Sequence, residues 1–146
     1  SVPKQAFRAC VLLSTDGSIL DEIYEGKHMQ QEALQSHFKR GVATLCILSL
    51  LSEREMYGYE IAQALETISG GRFILPEGTL YPILYRLEDD GYLDAKRIRV
   101  GKRMTRVYYR ISENGQEYYA ALLEDYNSIH TGVQLILSRS NEENEK

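Results

Sequence analysis

Just past Asp90 the apolar spacing of this chain drops from the period of a helix to that of a strand, and at Ser112 it changes back. Upstream, Phe38, Val42, Leu45, Cys46, Leu48, Leu50 and Leu51 form an apolar stretch too broad for one exposed face, as in a helix packed on several sides. Ile61, Ala62, Leu65 and Ile68 recur at helical spacing and predict a second helix over Tyr59–Ile68. Ser69-Gly70-Gly71 stops it, because glycine enters left-handed backbone at little cost. Leu80, Leu84 and Leu87 predict a third helix over Glu77–Asp90, with Gly91 as its stop. Tyr92–Val100 and Thr105–Ile111 then alternate like strands around Gly101-Lys102-Arg103-Met104, which is a hairpin pattern. Ser112 reads as an N-cap, Glu113 suits the positive end of the helix dipole, and a long helix is predicted to about Leu137.

Three short helices, a two-stranded hairpin and a long helix define a mainly α fold with a small β hairpin. The arrangement is a winged helix-turn-helix followed by a long C-terminal dimerisation helix. The link between the second and third helices exceeds the three or four residues of a minimal helix-turn-helix. The domains are read as an N-terminal extension over 1–28, a winged helix DNA-binding domain over 29–111, and a C-terminal helix with a polar tail over 112–146. Within the extension, Asp16-Gly17 marks a hairpin turn between apolar stretches of Phe7–Tyr24. Gly26-Lys27-His28-Met29 has the form of a vector-derived junction with Met29 as the natural start, the alternative being a genuine N-terminal arm.

Charge gives the hairpin a purpose. The formal net charge is −4, which by itself argues against nucleic acid. Yet Lys96, Arg97, Arg99, Lys102, Arg103, Arg106 and Arg110 form a basic island with no acid between them, and phosphate responds to local charge. A solvated charged hairpin is the plainer alternative. Other classes find no support. Val42–Leu51 is too short for a membrane span and holds Thr44 and Ser49. Cys10 and Cys46 lack metal-type spacing and read as reduced, with Cys46 in the core, as expected of a cytoplasmic protein. No phosphate-binding loop, zinc motif, dinucleotide fingerprint or nucleophile elbow occurs, so neither a catalytic residue nor a cofactor or metal site is expected.

A recognition helix entering the major groove needs compact or hydrogen-bonding side chains at its start. Thr79 offers a hydroxyl and a methyl, Tyr81 a flat ring with a phenol, and Pro82 a wedge near the first turn, where a lost backbone donor costs least. Tyr85 and Arg86, a turn later, suit phosphate; packing of either tyrosine in the core is the competing reading. Lys102 and Arg103 at the hairpin tip and Arg106 on the returning strand suit phosphate or the minor groove. Val107 and Tyr109 share a face directed at the domain, with Tyr109 read as core. In the last helix Tyr119, Leu122, Tyr126, Ile129, Val133 and Ile136 repeat in threes and fours, a heptad seam for packing along a second helix. An intramolecular contact with the first helix is the alternative use of that seam.

Three stretches resemble the PadR family of bacterial transcriptional regulators. They are Tyr57-Gly58-Tyr59-Glu60-Ile61, the run from Glu77-Gly78-Thr79-Leu80-Tyr81-Pro82 through Arg86-Leu87-Glu88 to Gly91-Tyr92-Leu93, and Arg103–Tyr109. The likeness spans Phe38 to about Gly115, and the single helix after the wing resembles the short-tailed branch. Pro76 departs from it, since many members carry a small hydroxyl residue there as an N-cap. The resemblance implies a homodimeric repressor of a detoxification or efflux gene, bound to a pseudo-palindromic operator in double-stranded DNA. It also places Tyr126 at a cavity in the dimer centre, with His130 one turn on, as candidate contacts for a planar aromatic effector. A surface role for His130, and Tyr126 as mere dimer packing, are the plain counterparts. A winged helix used as a protein-interaction module is the alternative function.

Overall fold

A computed structural model describes residues 39 and 41–142 of the chain, with side chains to residue 139. The readings made on residues 1–28, on Phe38 and on the end of the polar tail lie outside the described residues. The first helix, α1 (41–53), buries Ala43, Ile47, Leu48, Leu50 and Leu51, so its breadth of apolar sequence is used on several sides. Cys46 lies at the rim of this core, half-buried rather than inside it, and burial raises its thiol pKa.

Strand β1 (Met56–Tyr57) follows and was not foreseen, because two residues are too few to show alternation. Helix α2 (Gly58–Ile68) starts where the Glu60 carboxylate accepts the Tyr57 N–H at 3.1 Å. Its end is a Schellman motif: the Gly71 N–H donates to Glu66 and the Gly70 N–H to Thr67, with Gly70 at φ 64°. The long link to helix α3 (Glu77–Asp89) holds its shape through Ser69, whose hydroxyl accepts the Phe73 N–H, and through buried Leu75.

Strands β2 (Leu93–Val100) and β3 (Met104–Ile111) are antiparallel, and β3 lies centrally in a sheet of order β1-β3-β2. Leu93↔Ile111, Ala95↔Tyr109, Arg97↔Val107 and Arg99↔Thr105 share one face. Lys96↔Tyr108, Ile98↔Arg106 and Val100↔Met104 share the other, with Tyr57 of β1 beside Tyr108. Helix α4 (Glu113–Glu142) is capped by Ser112, whose hydroxyl oxygen accepts the Gly115 N–H at 3.0 Å. It runs past Leu137 because Ser138–Asn141 contains no glycine or proline to stop it.

Tyr109, expected in the core, is 1% exposed and lies on the sheet face turned toward α3. Burial first, then the nearby side chains of Tyr85, Glu88 and Tyr81, push its phenol up to about 12, with Arg97 opposing. The neutral phenol is therefore the native form. Its contribution is intact below the unfolded tyrosine value near 10 and is lost as pH rises through about 12. Over that window Tyr109 accounts for about 2–3 kcal/mol of lost stability. Denaturant unfolding between pH 8 and 12 checks this: Tyr109→Phe should flatten the alkaline fall, and a parallel fall in both proteins would remove Tyr109 as its source.

Candidate nucleic-acid interface

Helix α3 has one face in the core, through Leu80, Leu84 and Leu87, and one in solvent. The solvent face carries Gly78, Pro82, Tyr85 and Arg86, at spacings that line up along the helix. Pro76 is the N-cap and provides no side-chain hydrogen bond, as expected from its chemistry; its carbonyl instead accepts the N–H groups of Thr79 and Leu80, each at 2.9 Å. Pro82, read from sequence as near the first turn, lies just beyond it. With the helix starting at Glu77 it falls in the second turn, where a normal residue would donate to the Gly78 carbonyl. That carbonyl has lost its helical donor and lies at an exposed residue.

Tyr81 is half-buried, and its ring lies against Gly58 at the start of α2. A β-carbon on Gly58 would come within 2.6 Å of the Tyr81 hydroxyl, so the glycine of Tyr57-Gly58-Tyr59 makes the seat for this ring. Burial raises the Tyr81 phenol pKa, with Glu77 and Tyr85 adding to it. Tyr81 is thus a spacer between α2 and α3 with one edge toward solvent, and Thr79 is half-buried as well. Tyr85 is 54% exposed and makes a tilted ring contact with Tyr81 at 6.1 Å, so the core reading of Tyr85 does not hold.

The hairpin divides its bases between two faces. Arg97 and Arg99 have the parity of Ala95 and Tyr109 but extend past the core, on the side toward α3, and Arg97 approaches Glu88 of α3 at 3.9 Å. Arg99 donates to the Lys102 carbonyl at 3.1 Å and braces the Gly101–Arg103 turn, where Gly101 has φ 70°. Lys102 and Arg103 are exposed at that turn, as expected. Arg106 is on the opposite face, where its guanidinium lies 4.7 Å from the Tyr57 ring centroid. Tyr57 also meets Tyr108 edge-on at 5.4 Å and stacks on Tyr59 at 6.3 Å. Sequence spacing alone does not single out Arg97 and Arg99 from the rest of the basic island. The signal that finds them is parity: in a hairpin whose odd β2 positions face the domain, odd-numbered arginines beyond the core overhang α3.

The seam on α4 is split. Tyr119 and Leu122, read as dimer contacts, are half-buried against the chain's own core. Tyr126, Ile129, Val133 and Ile136 are exposed, from 40% at Tyr126 to 67% at Ile129. Tyr126 and His130 stack with centroids 5.7 Å apart and planes 15° from parallel. Among the described residues no group of His, Cys, Asp and Glu is placed to hold a metal ion, and no helix is long and apolar enough to cross a membrane.

Comparison with known proteins bears on this geometry. The family model described as the transcriptional regulator PadR-like family matches residues 47–121, from α1 into the first turns of α4. The chain is 37% identical over 100 residues to the transcriptional regulator Rv3488 of Mycobacterium tuberculosis, covering 68% of this chain and 87% of that protein. A transcriptional regulator from Clostridium thermocellum superposes with a TM-score of 0.63 at 33% identity, over 67% of this chain and 95% of the other. A PadR family regulator from Eggerthella lenta superposes with a TM-score of 0.66 at 25% identity, over 79% of this chain and 96% of the other.

Proposed function

The chain belongs to the PadR-like family of transcriptional regulators, which are DNA-binding proteins and not enzymes, and from that membership we propose a homodimeric repressor acting on a pseudo-palindromic operator. The observation that carries this reading is the position of Arg97 beside Glu88, which sets the α3-facing side of a basic hairpin next to the exposed row of α3. A duplex whose major groove receives that row meets Arg97 and Arg99 from the flank and Lys102 and Arg103 from the turn. Among the described residues Lys102 and Arg103 make no ion pair, so phosphate displaces nothing there. Arg97, itself exposed, has only a loose partner at 3.9 Å in half-buried Glu88 and gives it up at small cost. Arg106, on the far face and held over Tyr57, braces the hairpin in this reading; Thr79, Pro82, Tyr85 and Arg86 go toward the groove, with Tyr81 seating the helix.

Each phosphate contact releases condensed counterions, so the logarithm of affinity falls with that of salt by about 0.9 per contact. Arg97→Ala, Arg99→Ala and Arg103→Ala should each weaken binding to all duplexes and shallow this slope by about one unit. Arg106→Ala should leave the slope unchanged. Fluorescence anisotropy between 50 and 300 mM salt, concentrations taken to bracket the regime of about 10 Å screening, reads both. A flat response to every wing substitution removes the wing from DNA. The same assay carries an effector arm. A planar cationic dye should release the duplex from the wild type and not from Tyr126→Ala, because two copies of Tyr126 facing across the dimer axis would form the slot; equal release removes it. A protein-binding winged helix is the second reading, favoured by the surface cluster of Tyr57, Tyr59 and Tyr108, since aromatics are enriched at protein interfaces. It prevails if no salt-dependent duplex binding is found.

A further inference from the structure

Tyr92 lies where three elements end or begin, and each holds it by a different part. Its N–H donates to the Leu87 carbonyl at 2.9 Å, closing the Schellman motif of α3 around Gly91 at φ 81°. Its carbonyl accepts the Ser112 N–H at 3.0 Å. Its ring stacks on Tyr118 of α4, with centroids 4.1 Å apart and planes 10° from parallel. Ser112 closes the ring of contacts: its hydroxyl donates to the Gly91 carbonyl at 2.6 Å while accepting the Gly115 N–H at 3.0 Å. Gly115 is bare of necessity. A β-carbon there would collide with the Tyr92 carbonyl oxygen and come within 2.8 Å of Ile111 Cγ1.

The C-terminus of α3 and the N-terminus of α4 are therefore joined by backbone hydrogen bonds, a shared hydroxyl, a ring stack and a close glycine contact. Only the Ser112 hydroxyl, as the cap, is needed to start α4; the remaining contacts serve the joint. Beyond Leu122 the apolar side chains of α4 are exposed, so among the described residues the helix is gripped over its first turns. The direction of the free part is set at that root. The ungripped stretch is about 30 Å long, and a 10° error at the root displaces its end by about 5 Å. Successive base pairs are about 3.4 Å apart. A loose joint would thus blur operator spacing by more than one base pair.

Building on the dimeric DNA-binding reading above, we infer that the clasp of Tyr92, Ser112, Gly115 and Tyr118 sets the spacing between half-sites. These are positioning residues: they touch no DNA and act through the angle between α3 and α4. An independent domain on a flexible joint would bind half-sites at many spacings with similar affinity, whereas a clasped one discriminates.

The test starts from duplexes selected by the wild-type protein from a random pool, then remade with one or two base pairs added or removed between half-sites. Wild type should lose about ten-fold or more in affinity per altered base pair, since each turns one half-site by about 35°. Ser112→Ala and Tyr118→Leu should remain dimers by light scattering yet vary by less than about three-fold across the series, a profile a purely structural residue would not produce. Tyr118→Phe keeps the stack and should restore the wild-type profile. Ser112→Ala removes no apolar packing and so keeps the question measurable if Tyr118→Leu proves unstable. Folded, dimeric variants with the wild-type spacing profile overturn the clasp while leaving the dimeric reading intact. Selection of unpaired half-sites by the wild type overturns that reading, and the clasp with it.

Discussion

The Ile129→Glu, Val133→Glu double variant is expected to be a monomer whose operator affinity falls by about 100- to 10,000-fold, with the winged domain still folded. Both side chains are exposed in the single chain, at 67% and 43%, so the substitutions remove no contact on which the monomer depends. In a dimer built along α4 they would bury four carboxylates without partners, each at a cost of several kcal/mol. They would also lose the burial of four branched side chains, at about 1.5–3 kcal/mol each. The loss of operator affinity follows from linkage. Two half-sites joined by one dimer bind with an effective concentration that a monomer lacks, an advantage of about 10²–10⁴. Light scattering and operator titration read the two effects separately. A variant that remains dimeric at wild-type affinity would remove the α4 seam as the interface. Tyr119 and Leu122 make an informative contrast, because they are packed on the chain's own core and their loss should lower stability instead.

That contrast shows where the sequence was legible. A heptad repeat reports that a face is apolar, and the same residues serve whether the covering helix belongs to the same chain or to another. Tyr119 to Ile136 therefore reads as one seam, and only the fold divides it after Leu122. The element order was readable because each boundary has its own chemistry: Gly70, Gly91 and Gly101 at positive φ, and Ser112 as a cap. Strand β1 was not readable, since the pairing of Met56 and Tyr57 with β3 is specified by residues some fifty positions away. Tyr81 shows the same limit. Its place in the motif suggested a groove contact, while its seat on Gly58 depends on how α2 crosses α3. The basic island was visible as a count, but the division that sets Arg97 and Arg99 toward α3 and Arg106 away needs the register of the hairpin.

Gly78→Ala should make the protein more stable and a poorer DNA binder. The glycines at 58 and 115 are required inside the fold, because a β-carbon at either would collide, and Gly70, Gly71, Gly91 and Gly101 have positive φ. Gly78 meets neither condition: its φ is ordinary for a helix and nothing lies within 4 Å of the added carbon. Within a helix, glycine is less favourable than alanine by up to about 1 kcal/mol. The substitution should therefore raise the melting temperature by about 2–6 °C, the shift that such a gain gives a domain of this size. Its effect on DNA has the opposite sign. Gly78 and Pro82 lie on the exposed face of α3, where the missing side chain and the released Gly78 carbonyl leave bare backbone for a duplex to approach. An added methyl in such a contact acts like overpacking, at about 1–3 kcal/mol, and should weaken operator binding by about ten-fold or more. Calorimetry and operator titration on the same preparation read both signs. A stabilised variant that binds the operator as tightly as wild type would show that this face of α3 does not enter the groove. A destabilised one would show that the glycine serves the fold after all.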